Sequence, residues 1–197
     1  LFFADQEYYR RLVRIALPIA AQQFLMSSLN MVGVVFIGQL GEASVAAVGL
    51  ANQVFFLLNL ALYGFNSGAA MFTAQLWGKQ DIPNIRRVTS LILKFSLLTS
   101  LVFFFLALVV PEWVLGIYST DPEVITLGSQ YLRVFGWSFL FVGVTYSYSA
   151  VVRSTGDVRT PLIVSIGALS LNMVLSYLLI FGHLGMPHLG TQGAAYG

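Results

Sequence analysis

The chain has 197 residues, of which 57% are hydrophobic and only 9% charged, with a net charge of +2 and no cysteine. Soluble domains devote about a quarter of their residues to charge, so this composition excludes a water-soluble globule and makes lipid the main solvent. Disulfides, thiolate metal sites and thiol nucleophiles are excluded too, and basic residues spread over three loops form no single nucleic-acid patch.

A bilayer core needs about 20 helical residues, and five apolar stretches meet that requirement, near residues 15–37, 45–77, 88–110, 131–152 and 161–181. The first is longer than the apolar core of a cleavable signal, about 7–15 residues, and ends in no small-residue cleavage site, so it reads as a permanent span. Pro18 removes a backbone donor from it and is expected to kink it. The second stretch would reach roughly 50 Å as a straight helix, too far for one perpendicular crossing. A bend or a close neighbour is expected at Gly64 and Gly68, which flank Asn66 and Ser67. The third stretch is wholly apolar over residues 102–110, and it is expected at the periphery, facing lipid. Between it and the fourth, Ser119, Thr120 or Asp121 is expected to cap a short interfacial helix running into the next span. Before the fifth, Gly156 and Asp157 form a turn, with a fresh helix expected from Pro161. Trp77, Trp113, Tyr118 and Tyr131 fall near span ends, as an aromatic belt requires. His183 and His188 lack metalloprotease spacing and read as solvated loop residues. The chain starts at Leu1 and stops in Gly-Ala-Ala-Tyr-Gly, which reads as the opening of a further helix; a fragment is expected.

Charge sits in the gaps between stretches and alternates. Arg10, Arg11 and Arg14 precede the first stretch, Lys79, Arg86 and Arg87 follow the second, and Arg153 and Arg159 follow the fourth. The other gaps hold Glu42, then Glu112, Asp121 and Glu123, with no Lys or Arg. An excess of Lys and Arg marks the side of insertion, so the N-terminus is expected in the cytoplasm. Lys94 and Arg133 alone are charged within apolar stretches, each about two turns from an end, and both read as snorkelling to the interface. No stretch contains a carboxylate, so a proton relay or strong cation site cannot be built from its side chains.

Polar residues within the stretches form stripes. Asn52, Asn59, Asn66 and Thr73 recur every seven residues, drifting only about 20° per repeat around a helix. Shorter stripes are Gln23, Ser27 and Asn30 on the first span, Ser138, Thr145 and Ser149 on the fourth, and Ser165, Asn172 and Ser176 on the fifth. Ser and Thr stripes read as packing seams between membrane helices. A primary amide carries two donors and two acceptor lone pairs, which a dry seam satisfies poorly, so a wet cavity is expected at Asn30, Asn59, Asn66 and Asn172.

Several separated patches give the chain a family likeness. They are Phe36-Ile-Gly-Gln-Leu-Gly41 after the proline-bearing first helix, Ala46-Ala-Val-Gly-Leu-Ala-Asn-Gln53, Gly68-Ala-Ala, Ala74-Gln-Leu-Trp-Gly78 and Arg153-Ser-Thr-Gly-Asp-Val-Arg-Thr-Pro161. Leu171-Asn172, Ile180-Phe-Gly182 and Leu189-Gly-Thr-Gln-Gly-Ala-Ala195 complete the ordered set. In these patches the chain resembles the multidrug and toxic compound extrusion (MATE) transporters. The resemblance implies an all-α, polytopic transmembrane bundle of twelve helices in two halves. Residues 1–197 would form the N-terminal half, five spans plus the start of a sixth. It further implies export of organic cations or amphipathic drugs in exchange for H+ or Na+, with no cofactor and no enzymatic step. The implied setting is the plasma or inner membrane, and the implied partners are membrane lipids, small-molecule organic cations and the second six-helix bundle of the same protein. The expected cavity residues are Gln23, Asn30, Asn59, Asn66, Thr145, Ser149, Asn172 and Ser176. Many prokaryotic members carry Asp where this chain has Gly33, and Asp or Asn where it has Ser176, while Asn172 matches. Coupling acids are therefore expected outside this segment. Three rivals stand beside this reading: a lipid-linked saccharide flippase, which would need several cavity Arg or Lys; an intramembrane enzyme, which would need a base beside its nucleophile; and a scaffold, which would have dry seams.

Overall fold

The computed structural model describes residues 6–39, 41–181, 193 and 195; within the first helix it describes only the backbone of some residues, Pro18 and Asn30 among them. His183, His188 and most of the final patch lie outside the described residues. The chain forms α1 (Gln6–Gly38), α2 (Glu42–Gly78), α3 (Ile82–Val109), α4 (Pro111–Gly116), α5 (Pro122–Ser154) and α6 (Arg159–Phe181). Among the described residues, α2, α3, α5 and α6 each contain a segment long and apolar enough to cross a membrane, and α1 is a further helix of 33 residues.

The turns explain where the helices stop. Gly41, at φ 108°, adopts a left-handed conformation that an L side chain resists, and it separates α1 from α2. Gln80 takes the same region at φ 57° and ends α2, while the Asp81 carboxylate accepts from the Asn84 amide at 3.2 Å and starts α3. Asp121 caps α5 directly, accepting from the Glu123 amide at 2.9 Å. The expected interfacial helix leading into the fourth span is therefore two pieces: the six-residue α4, begun at Pro111, and an α5 that runs unbroken from Pro122. Gly156, at φ 91°, turns the chain after α5. Asp157 then accepts from the amides of Arg159 at 3.0 Å and Thr160 at 3.1 Å, and from the Thr160 hydroxyl at 2.6 Å. That cap starts α6 at Arg159, two residues before Pro161. These bonds hold the Asp157 carboxyl below its ordinary range, the Thr160 hydroxyl contributing most.

Helices α2, α3 and α5 pack against one another, with α4 against α5, whereas α1 packs mainly on α6. The three-helix unit has a defined register. Phe65 stacks on Phe95 at 5.9 Å, Phe104 meets Trp137 at 4.8 Å, and Phe55 meets Phe135 at 5.2 Å. Leu58 and Leu62 of α2 and Leu132 and Phe139 of α5 are fully buried in it. Lipid tails are as apolar as these side chains, so the helices associate through close packing more than through the hydrophobic effect.

Glycines supply that closeness on α5, not on α2. A Cβ at Gly136 would lie 2.9 Å from the Ala107 Cβ, and one at Gly143 would overlap the Ser100 hydroxyl and sit 3.0 Å from the Ser96 carbonyl oxygen. The close neighbour expected at Gly64 and Gly68 is not found among the described residues: α2 runs as one helix through both, and a Cβ at either glycine meets nothing within 4 Å. Their face of α2 has no helix against it. Tyr131 is also corrected. It is buried against Phe135 at 5.3 Å and takes no part in an aromatic belt, while Trp77, Trp113 and Tyr118 are exposed.

Candidate functional site

Between the α1/α6 pair and the α2/α5 side of the core lies a cleft of about 590 Å3. Its polar lining comes from two helices: Asn52 and Asn59 on α2, Asn172 and Ser176 on α6. Its apolar lining combines five aromatic rings, Phe36 on α1, Phe55 and Phe56 on α2, and Tyr131 and Phe135 on α5, with aliphatic side chains such as Val32, Val48, Leu169 and Met173. Heptad spacing puts the two α2 amides on one face, and i, i+4 spacing does the same for Asn172 and Ser176. Phe36 and Tyr177, with ring centroids 5.7 Å apart, tie α1 to α6 beside the opening.

Asn59 is oriented by its own helix. Its Nδ2 donates to the Phe55 carbonyl at 2.8 Å, and among the described residues none donates to its buried Oδ1. Gly33 lines the opposite wall, where a Cβ would meet nothing within 4 Å. Among the described residues no Asp, Glu, Lys, Arg or His lines the cleft, and no three His, Asp or Glu gather as a metal site. Such a surface recognises by ring stacking, by attraction of a cation to aromatic faces and by amide hydrogen bonds.

Of the eight expected cavity residues, the cleft brings together Asn59, Asn172 and Ser176. The Asn30 side chain lies outside the described residues, and Gln23 is exposed on α1 away from the cleft lining. Thr145 and Ser149 share the α5 face of Tyr131 but lie farther along the helix, beyond the lining. Asn66 is corrected most clearly. It is buried on α2 outside the cleft lining, its Nδ2 donating to the Leu62 carbonyl at 2.7 Å, so it shares the stripe of Asn59 without reaching the cleft. Ser96 and Ser100 are buried on α3.

The lining contained two surprises for sequence reasoning. Asn52 belonged to the α2 stripe but was not singled out as a cavity residue. The aromatic wall was hidden because membrane helices are apolar on every side; the available signal was the placing of Phe55 and Phe56 three and four residues from Asn52 and Asn59. Neither intrahelical charge reaches the cleft. Lys94 is exposed on α3, and Arg133 pairs with Glu112 of α4 at 2.9 Å. No α3 residue lines the cleft, and Leu91, Phe95, Leu98 and Phe105 are exposed on its outer surface.

The MatE family model matches residues 18–178. The chain belongs to the MatE family. Among its MatE relatives, the probable multidrug resistance protein NorM of Rhizobium meliloti (strain 1021) is 31% identical over 192 residues, covering 95% of this chain and 40% of that protein. The probable multidrug resistance protein YoeA of Bacillus subtilis (strain 168) is 29% identical over 189 residues, covering 95% and 41%. The fold is that of a MOP superfamily transporter from Pyrococcus furiosus Vc1, with a TM-score of 0.84 at 24% identity over 94% of this chain and 40% of that one. The chain thus spans about 40% of the length of these MatE relatives.

Proposed function

We propose that this chain is the N-terminal half of a multidrug efflux antiporter and forms one wall of its substrate cavity. The observation that carries this reading is the uncharged cleft, in which Asn52, Asn59, Asn172 and Ser176 face an aromatic wall. Planar or amphipathic organic cations fit it by chemistry, since rings offer their negative faces and amides accept hydrogen bonds without a buried anion. The names of the NorM and YoeA relatives support drug export as the activity. In this reading the protein is a transporter and not an enzyme, a multi-pass protein of the plasma membrane, and the Lys and Arg excess in alternate loops favours a cytoplasmic N-terminus. Its partners are the membrane lipids and a second six-helix bundle of the same protein.

Exchange for H+ or Na+ supplies the energy, and the coupling acids belong to the second bundle, because Gly33 puts no carboxylate at the cleft. A lipid-linked saccharide flippase fits less well. Its anionic pyrophosphate would require cationic side chains, and none lines the cleft. Ethidium accumulation in cells expressing the full-length protein, with the proton and Na+ gradients collapsed in turn, tests the reading. Lower accumulation that reverses when one gradient is removed is expected; accumulation equal to that of cells without the protein would refute it. Labelling of single cysteines at positions 59 and 172 by a water-soluble reagent separates a wet cavity from a dry scaffold.

A further inference from the structure

The outer face of α3 carries two cations near its start, Arg87 just before the apolar stretch and Lys94 two turns inside it. Arg87, Ser90 and Lys94, spaced i, i+3 and i+7, are all exposed there, opposite the buried Ile85 and Ile92. Below them the same face continues as exposed Leu98, Val102, Phe105 and Val109. Helical side chains lean toward the N-terminus, so the Lys94 ammonium reaches up toward Arg87, whose Cα lies about 10 Å higher along the axis. Snorkelling alone accounts for one cation reaching the interface, but it leaves a second cation unneutralised on the same face.

Among the described residues no carboxylate pairs with Arg87 or Lys94. Asp81, the nearest acid in sequence, is engaged in the α3 cap, where both of its oxygens accept from Asn84, at 3.2 and 2.6 Å. Arg87 uses one donor on the Asn84 side-chain oxygen at 3.3 Å and keeps the rest of its fork. Among the described residues Lys94 and Ser90 have no hydrogen-bond or ion-pair partner. Two cations, a hydroxyl between them and an apolar track running into the bilayer match one kind of molecule.

We propose that the outer face of α3 binds an anionic phospholipid, its phosphate held by Arg87, Ser90 and Lys94 and an acyl chain laid along Leu98, Val102 and Phe105. The site is separate from the cleft, on the other side of the α2/α3/α5 unit, and it rests on α3 facing lipid, not on what the protein transports. Binding by basic groups beside a span is electrostatic and additive, so removal of one cation weakens it by a measurable fraction.

Thermal unfolding of the full-length protein in detergent, with dioleoyl phosphatidylglycerol or phosphatidylcholine added, tests the site. Phosphatidylglycerol is expected to raise the midpoint well above phosphatidylcholine. Lys94→Gln should abolish at least half of that difference, Lys94→Arg should preserve it, and Arg159→Gln, at the exposed start of α6, should leave it unchanged. Equal midpoints with the two lipids would overturn the proposal, as would equal losses in the Lys94 and Arg159 variants, which would reduce the effect to general surface charge. Lys94→Arg also guards against a folding defect, because loss of the lipid difference in that correctly folded variant would count against the site. Ethidium efflux is not the readout, so failure here leaves the transport reading standing.

Discussion

The α2/α3/α5 unit and the α1/α6 pair are both built from long, predominantly apolar helices but packed by different rules. In the first, Gly136 and Gly143 let α5 approach α3 until a single added methyl would collide, and Leu58, Leu62, Leu132 and Phe139 are sealed inside. In the second, α6 leaves Ile163, Val164, Leu171 and Val174 exposed and touches α5 only lightly, and the gap between the two regions is the cleft. Close packing determines where helices cannot separate, and its absence determines where a ligand can enter.

The strongest way to break this contrast is Gly143→Leu, which forces a branched side chain into the Ser96 and Ser100 surface. It is expected to cost about 3 kcal/mol and to abolish the folded protein in size-exclusion chromatography, as overpacking of a tight seam does. The same substitution at Gly64, which has open space around it, should be nearly silent. Across the cleft the effect moves from stability to activity. Asn59→Leu or Asn172→Leu should leave the unfolding midpoint unchanged while lowering ethidium efflux about tenfold, as loss of one ligand hydrogen bond of about 1.4 kcal/mol predicts.

Gly33→Asp sharpens the contrast in the other direction. The open space at Gly33 accommodates a carboxylate, so the variant should fold as the parent does, and its efflux should gain a pH dependence that the parent's cleft cannot supply. A smaller effect concerns the start of α6. The Asp157 carboxyl is held below its ordinary pKa, so its cap is fully present above the unfolded carboxylate's value of 3.8 and is lost as pH falls through the lower folded one. Hydrogen exchange in that acid window should rise at the α6 N-terminus before it rises in α2, α3 or α5, and Asp157→Ala should show the same exchange at neutral pH. The smallest effect is expected at Arg133 and Glu112, both half exposed, where Glu112→Gln should shift stability by about 0.5 kcal/mol or less.

Much of this was legible one residue at a time. Five apolar stretches, each long enough to span a bilayer, correspond to five long helices, and the Asp81, Asp121 and Asp157 caps are local devices within three residues of the groups they bind. The amides Asn59 and Asn172 and the hydroxyl of Ser176 were visible as stripes because polarity is rare in such segments. Asn66 could not be separated from Asn59, since both sit on one stripe and differ only in which helix faces them. Gly64 and Gly143 look alike in sequence for the same reason.

The amino-acid sequence by itself determined a membrane-embedded all-helical chain and the absence of any carboxylate within its apolar stretches, because bilayer thickness and charge cost act within one segment. Only the tertiary structure decided that the α1/α6 pair stands across a cleft from α2 and α5, that aromatic rings line that cleft beside the asparagines, and that the Arg87 and Lys94 face of α3 is an outer surface. Those outcomes depend on which face of each helix meets a neighbour, and in segments apolar all round no periodicity announces that face.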